Sequence, residues 1–176
     1  MRPLTLAERL GKLDEVPAWI PSANRLRELG QAPKHQLADP AVTAHLLGAQ
    51  ASTLLSGQSP GPAIPREGTL LGALFESLAT LSVRVYAGHV EARTKHLRTA
   101  RGRREVDLIV ERPDGRIVAI EVKLTQAVSD DDVKHLVWLR EKLGEGVLDE
   151  VVLTTGSQAY RRRDGVAVVP LALLGP

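Results

Sequence analysis

Residues 104–123, REVDLIVERPDGRIVAIEVK, contain two carboxylates and a lysine whose spacing brings them together once the chain folds back on itself. Pro113 and Asp114 suit the centre of a type I turn and Gly115 the left-handed position after it, so the predicted hairpin places Arg112 opposite Arg116. Continued antiparallel, Val106 meets Val122, Leu108 meets Ile120 and Val110 meets Val118, giving one wholly apolar face. A one-residue slip destroys that match. The same register sets Asp107 opposite Glu121 on the other face, with Glu105 opposite Lys123 beside them. Like charges in direct cross-strand positions are destabilising. At an effective dielectric of about 20 and a separation of ~5 Å the repulsion is about 3 kcal/mol. A divalent cation would offset it, since one or two carboxylates are what Mg²⁺ ordinarily takes from a protein. The same pattern also describes a solvated polar face, with Lys123 and Glu105 forming a weak ion pair.

Other residues bear on the same chemistry. Glu76 interrupts an apolar helical run, where a carboxylate needs a partner or a metal unless it points to solvent between Phe75 and Ser77. From Arg84 to Arg104 seven Lys or Arg face one Glu, and Lys95, His96, Arg98, Arg101, Arg103 and Arg104 lie just ahead of the Asp107 strand. Phosphate contacts supply most non-specific affinity for DNA, so this run is either a backbone-binding surface or a solvated loop. Arg161, Arg162 and Arg163 form a shorter run better explained as a solubilising turn. Gly57 to Gly61, GQSPG, matches GxSxG in letters but lacks the strand and helix that a nucleophile elbow requires. The histidines show no metal-binding spacing, and Asp130 to Asp132 suit the start of a helix.

The elements that position these residues follow from periodicity. The run GTLLGALFESLATLSVRVY carries Leu70, Leu71, Leu74, Phe75, Leu78 and Leu81 at helical spacing, which predicts a largely buried helix. HVEARTKHLRT, REVDLIVE and RIVAIEVK read as strands, DDDVKHLVWLREKL as a helix, and DEVVLTT and GVAVVPL as two further strands. The order is α-β-β-β-α-β-β. Upstream, LAERLGKLDEV, SANRLREL and PAVTAHLLGAQ read as short amphipathic helices, the last opened by Asp39 as N-cap and Pro40 at the first helical position. Residues 56–66, rich in Pro and Gly, read as a linker between a helical appendage at 1–55 and an α/β domain at 67–176. Composition supports one domain with an appendage: 176 residues, 43% hydrophobic and 25% charged, with a formal net charge of +2. No cysteine is present, which excludes disulfides, thiolate zinc sites and thiol catalysis. Aromatics at 3% leave little for base-stacking platforms. No apolar run approaches membrane-spanning length on this reading, so a soluble, cytoplasmic protein is expected.

Asp107 followed by Glu121-Val122-Lys123 on adjacent strands, after a helix bearing Glu76, resembles the PD-(D/E)xK nuclease motif. More narrowly, DEVPAW, KHQLADP, GTLLGALFESL, KHLR, EVDLIVE, IVAIEVKLTQAVSDDDVKHLVWL, VVLTTG and GVAVVPLALL together resemble the C-terminal domain-of-unknown-function half of bacterial and archaeal AAA-type ATPases, which ends in such a nuclease-like module. The resemblance implies an α/β restriction-endonuclease-like core, α-β-β-β-α-β, whose mixed central sheet is flanked by helices, and a first third derived from a winged-helix-like segment. It implies Mg²⁺ or Mn²⁺ held by Asp107, Glu121 and the Val122 carbonyl, with Glu76 completing the shell through water and Lys123 orienting or deprotonating the attacking water. Val106 stands where the superfamily has a proline. No GxxxxGK[ST] occurs, so the chain has no ATPase phosphate loop of its own. The expected partners are DNA and an AAA-type ATPase acting in trans. The alternative is a non-catalytic module that binds DNA or protein and retains the polar hairpin.

Overall fold

The computed structural model describes residues 13–20, 32–55, 70–99 and 103–175. The linker at 56–66 with its GQSPG run, the SANRLREL segment and Arg101 lie outside them. Two short strands, β1 (Leu13–Val16) and β2 (Lys34–Leu37), pair antiparallel. They are followed by short helices α1 (Pro40–Leu46) and α2 (Ala51–Leu55), the long helix α3 (Leu70–His89), and strands β3 (Arg93–Arg98), β4 (Glu105–Glu111) and β5 (Ile117–Val122). Helix α4 (Asp130–Leu143), β6 (Val147–Thr154), a two-residue β7 (Tyr160–Arg161) and β8 (Ala167–Pro170) complete the chain. The fold is α/β, with a six-stranded mixed sheet in the order β3-β4-β5-β6-β8-β7. Neighbours β3, β4 and β5 run antiparallel, while β5, β6 and β8 run parallel. The parallel step from β5 to β6 is bridged by α4, the kind of crossover that such a pair requires.

Each sheet face buries its own core. On one face, Val133, Leu136 and Leu139 of α4 pack with Val106, Ile109, Ile117 and Val152. On the other, Ala79 and Val83 of α3 pack with Leu108, Ile120, Leu153 and Val16. The α4 start follows its sequence: Asp132 accepts hydrogen bonds from the Ser129 N–H at 2.8 Å and from its hydroxyl at 2.7 Å, and three aspartates fill the first turn. Likewise, Gly115 turns the hairpin with φ 81°, and the Arg112 N–H donates to the Arg116 carbonyl.

Several expectations need correction. The C-terminal part of LAERLGKLDEV is strand, not helix. Pro17 biases Val16 toward extended backbone. On α3, the buried stripe is Leu74, Ser77, Ala79, Thr80, Val83 and Ala87, whereas Leu78 and Leu81 are exposed. Small residues let the helix lie close to the sheet, and the leucine periodicity marks a neighbouring face. Over an 18-residue window α3 reaches a mean hydropathy of 1.3, enough by length and composition alone to cross a membrane, which corrects the expectation that no run approaches that length. A third of that window is buried.

Residues Pro17 to Trp19 continue from β1 onto the outer edge of β3. His96 donates its N–H to the Pro17 carbonyl at 3.0 Å and accepts at its carbonyl from Trp19 at 2.7 Å. Trp19 is buried in the α4-side core and its indole donates to Glu111 at 3.0 Å.

Candidate functional site: a carboxylate cluster built around a lysine

The hairpin register is the expected one as far as Leu108↔Ile120 and Val110↔Val118, and there the β4–β5 ladder stops. On the other side of β4 the register shifts: Lys95 pairs with Ile109 but Leu97 pairs with Val106, so β4 carries one extra residue in that interval. Such a bulge reverses the alternation of faces. Val106 therefore joins the α4-side core while Leu108 stays in the α3-side core. The wholly apolar face expected from the sequence is broken at Val106, and the predicted Val106–Val122 and Glu105–Lys123 pairs do not form in the ladder. Asp107 is released from regular pairing, and its carboxylate takes over a backbone bond, accepting from the Val122 N–H at 2.9 Å. Its other oxygen accepts from the Lys34 ammonium at 3.0 Å.

Glu121 sits at the end of β5 and is buried, 4% exposed. One oxygen lies 3.1 Å from the Lys123 ammonium; among the described residues the other has no hydrogen-bond donor. Burial first, then the neighbouring Asp107 charge, push the Glu121 carboxyl well above the usual carboxylate range. Burial works to lower the Lys123 pKa, but the Glu121 and Asp107 charges outweigh it and raise the value. The structure thus brings Asp107, Glu121 and Lys123 into one electrostatic group where β4 and β5 part.

Glu76 reaches the same region from α3 rather than pointing to solvent. Its Oε1 accepts from Gln36 at 2.8 Å and lies 2.7 Å from the Lys34 ammonium. Lys34 was not singled out in the sequence, and it is the centre of the cluster: its Nζ also lies 3.0 Å from Asp107 and 3.2 Å from Glu105. Glu105, expected opposite Lys123, is therefore turned to Lys34, with Arg98 at 3.7 Å on its other oxygen. Burial tends to lower the Lys34 pKa, and the charges of Asp107, Glu76 and Glu105 overcome it, holding the ammonium protonated far above its ordinary range. For Asp107, burial raises the pKa, while Lys34, the Val122 N–H and Lys123 win in lowering it. Strand β2 is latched to α3 beside this cluster. Gln36 also accepts from Ser77, whose hydroxyl accepts in turn from the Leu37 N–H at 3.3 Å.

The three donors of an ammonium match three carboxylate acceptors, and of the expected metal shell Lys34 engages Glu76 and Asp107. Among the described residues no group of three His, Asp or Glu side chains is disposed to hold a metal ion. With Lys34 seated, the residues present do not fit Mg²⁺ or Mn²⁺.

The expected phosphate-binding residues are dispersed. His96 is 2% exposed, with Nε2 against the Ala32 carbonyl at 3.1 Å. It cannot touch a phosphate, because pairing of its backbone with Pro17–Trp19 seals it. Lys95 is paired with Glu111 at 2.5 Å, and the Arg104 guanidinium stacks over Trp138, 4.3 Å from the ring centroid. Arg98 is half-buried against Glu105, and Arg103 is exposed. In the second basic run, Arg161 makes two bonds to Asp149, and Arg162 binds Asp130, Asp164 and the Val128 carbonyl, so two of its three arginines hold the β7–β8 hairpin in place.

No curated protein and no solved structure matches the chain. A family model described as a domain of unknown function, DUF4143, matches residues 71–174, a span that includes Glu76, Asp107, Glu121 and Lys123 but not Lys34. With well over half of its length matched, the chain belongs to the DUF4143 family, a domain of unknown function.

Proposed function

We propose that this chain is a nuclease-like module whose target is the DNA backbone. One observation carries the reading: Asp107, Glu121 and Lys123 converge where β4 and β5 separate, and among the described residues the buried Glu121 carboxyl keeps one oxygen without a hydrogen-bond donor. A buried acceptor left unsatisfied costs about 1–3 kcal/mol, and such a group in a folded protein calls for a functional account. The pattern is that of the PD-(D/E)xK resemblance. The half-buried Arg98 and the exposed Arg103 supply positive charge for phosphates, and the Lys123 ammonium lies close enough to the carboxylates to meet the charge of a bound phosphodiester. No hydrolytic step is assigned to a metal, because the carboxylates are engaged by Lys34. An AAA-type ATPase acting in trans is part of the same proposal.

Lys34 favours a second reading, a non-catalytic module that binds DNA or protein and whose acidic cluster is neutralised internally. The two are separated by incubating supercoiled plasmid and single-stranded DNA with Mg²⁺, Mn²⁺ or EDTA, using the wild type, Asp107→Ala and Lys123→Ala, together with a salt titration of DNA binding. Metal-dependent cleavage that disappears in both variants establishes the nuclease. Salt-sensitive binding without cleavage, indifferent to Asp107→Ala, moves the conclusion to the binding module. Neither cleavage nor binding removes DNA as the target.

A further inference from the structure

We propose that Lys34 is the resident cation of this carboxylate site, delivered by the β1–β2 strand pair, and that it excludes divalent ions for as long as that pair is docked. The inference deepens the nuclease-like reading and rests on the same carboxylates, but it is read by metal binding rather than by cleavage.

Two independent observations support it. Glu76, Asp107 and Glu105, from α3 and β4, each place an oxygen 2.7–3.2 Å from one ammonium. Separately, the buried Glu121 has an unpartnered oxygen beside Asp107. Lys34 compensates only part of the negative charge it faces, and a divalent ion among the same oxygens would lie within a few ångströms of the ammonium and be repelled by it. One of the two must leave. The lysine is carried by β2, whereas its carboxylate partners lie on α3 and β4. Among the described residues, strand β2 pairs with β1 and forms no ladder with the six-stranded sheet. It is held to α3 by side-chain bonds among Gln36, Leu37, Glu76 and Ser77. Undocking β2 breaks those bonds and frees three carboxylates in one movement.

The test is Mn²⁺ binding by the full chain, measured by calorimetry and by the change in melting temperature with MnCl₂, for the wild type, Lys34→Arg, Lys34→Gln and the double variant Lys34→Gln/Glu105→Gln. The double variant keeps the wild-type net charge and carries the measurement if Lys34→Gln alone does not fold. The expected result is at least tenfold tighter binding of one Mn²⁺ per chain in the Gln variants than in the wild type or Lys34→Arg, abolished by adding Asp107→Asn. The inference is overturned if the wild type binds Mn²⁺ as tightly as the Gln variants, or if neither Gln variant gains affinity. A Gln variant that binds Mn²⁺ yet leaves DNA uncut counts against hydrolysis alone, whereas cleavage by a wild type that already holds Mn²⁺ counts against the lysine's role alone.

Discussion

Replacing Lys34 by Met keeps most of the aliphatic stem and removes the ammonium with its charge and hydrogen-bond donors, so it measures what that group contributes to folding. Removing one partner of a buried ion pair destabilises by about 3–5 kcal/mol, because the remaining charge is left buried and unpaired. Here the Lys34 and Asp107 side chains are 21% and 15% exposed, but those of Glu76 and Glu105 reach 30% and 34%. Partial screening at the latter two brings the expected loss to about 2–3 kcal/mol at pH 7 and low salt. With a urea dependence of roughly 1–3 kcal/mol per molar for a small protein, the unfolding midpoint should fall by about 1–2 M. Fluorescence of Trp19, buried against β3, and of Trp138 reports the transition. The pH dependence has a defined sign. Burial raises the Asp107 pKa, and Lys34 is the largest of the influences that lower it in the folded state. Asp107 therefore contributes stability that is present above its unfolded value of 3.8 and is lost as pH falls through the depressed folded value. In Lys34→Met that depression shrinks and protonation relieves the crowded carboxylates, so the deficit against wild type should narrow toward about pH 4. A midpoint shift below about 0.3 M, or a deficit that widens on acidification, would refute the reasoning.

Three further outcomes are expected. Leu136→Ala, at a fully buried position of α4, should destabilise by about 2–5 kcal/mol in urea unfolding, since the sheet beneath it cannot collapse into the space. Gly115→Ala should lower stability by roughly 1–2 kcal/mol, because φ 81° is unfavourable for a residue with a Cβ; an unchanged melting temperature would show that the turn relaxes to another type. Asp132→Ala should lose about 1 kcal/mol at pH 7 by uncapping α4. Burial raises the Asp132 pKa but the Ser129 bonds lower it below 3.8, so this contribution is present above that value and the gap between wild type and variant should close in acid.

Local chemistry made the hairpin legible. The Pro113-Asp114-Gly115 turn and the pairing of Leu108 with Ile120 depend on residues close in sequence, and both follow from period-two alternation. The same holds for the Asp39-Pro40 start of α1, where Asp39 accepts from the Ala41 and Val42 N–H groups, and for the capped start of α4. Three features escaped. The bulge that turns Asp107 out of the ladder depends on how β3 lies against β4, and alternation within one strand carries no mark of it. The strand at Leu13–Val16 was hidden by an upstream leucine spacing that imitates a helix, although Pro17 marks its end. Lys34 escaped because Asp107 is 73 positions away. The signal for it was faint: alternation along the short strand aligns Lys34 with Gln36, which meets Glu76 on α3. The basic run misled for the opposite reason, since Lys95 and Arg104 are charged in the sequence but spent on Glu111 and Trp138 in the fold.

The Pro17–Trp19 segment has a consequence for where this molecule can be cut. Excision at the limits of the family match, residues 71–174, would take away Trp19 and Val16, one large side chain from each core, together with the strand that covers β3. The bare rim of β3 would present unpaired backbone groups, a template for association with a second copy. Four carboxylates would meanwhile remain at the site with Lys123 as their remaining lysine counter-charge. A fragment trimmed to the family match should thus be aggregation-prone and more sensitive to added cations than the whole chain.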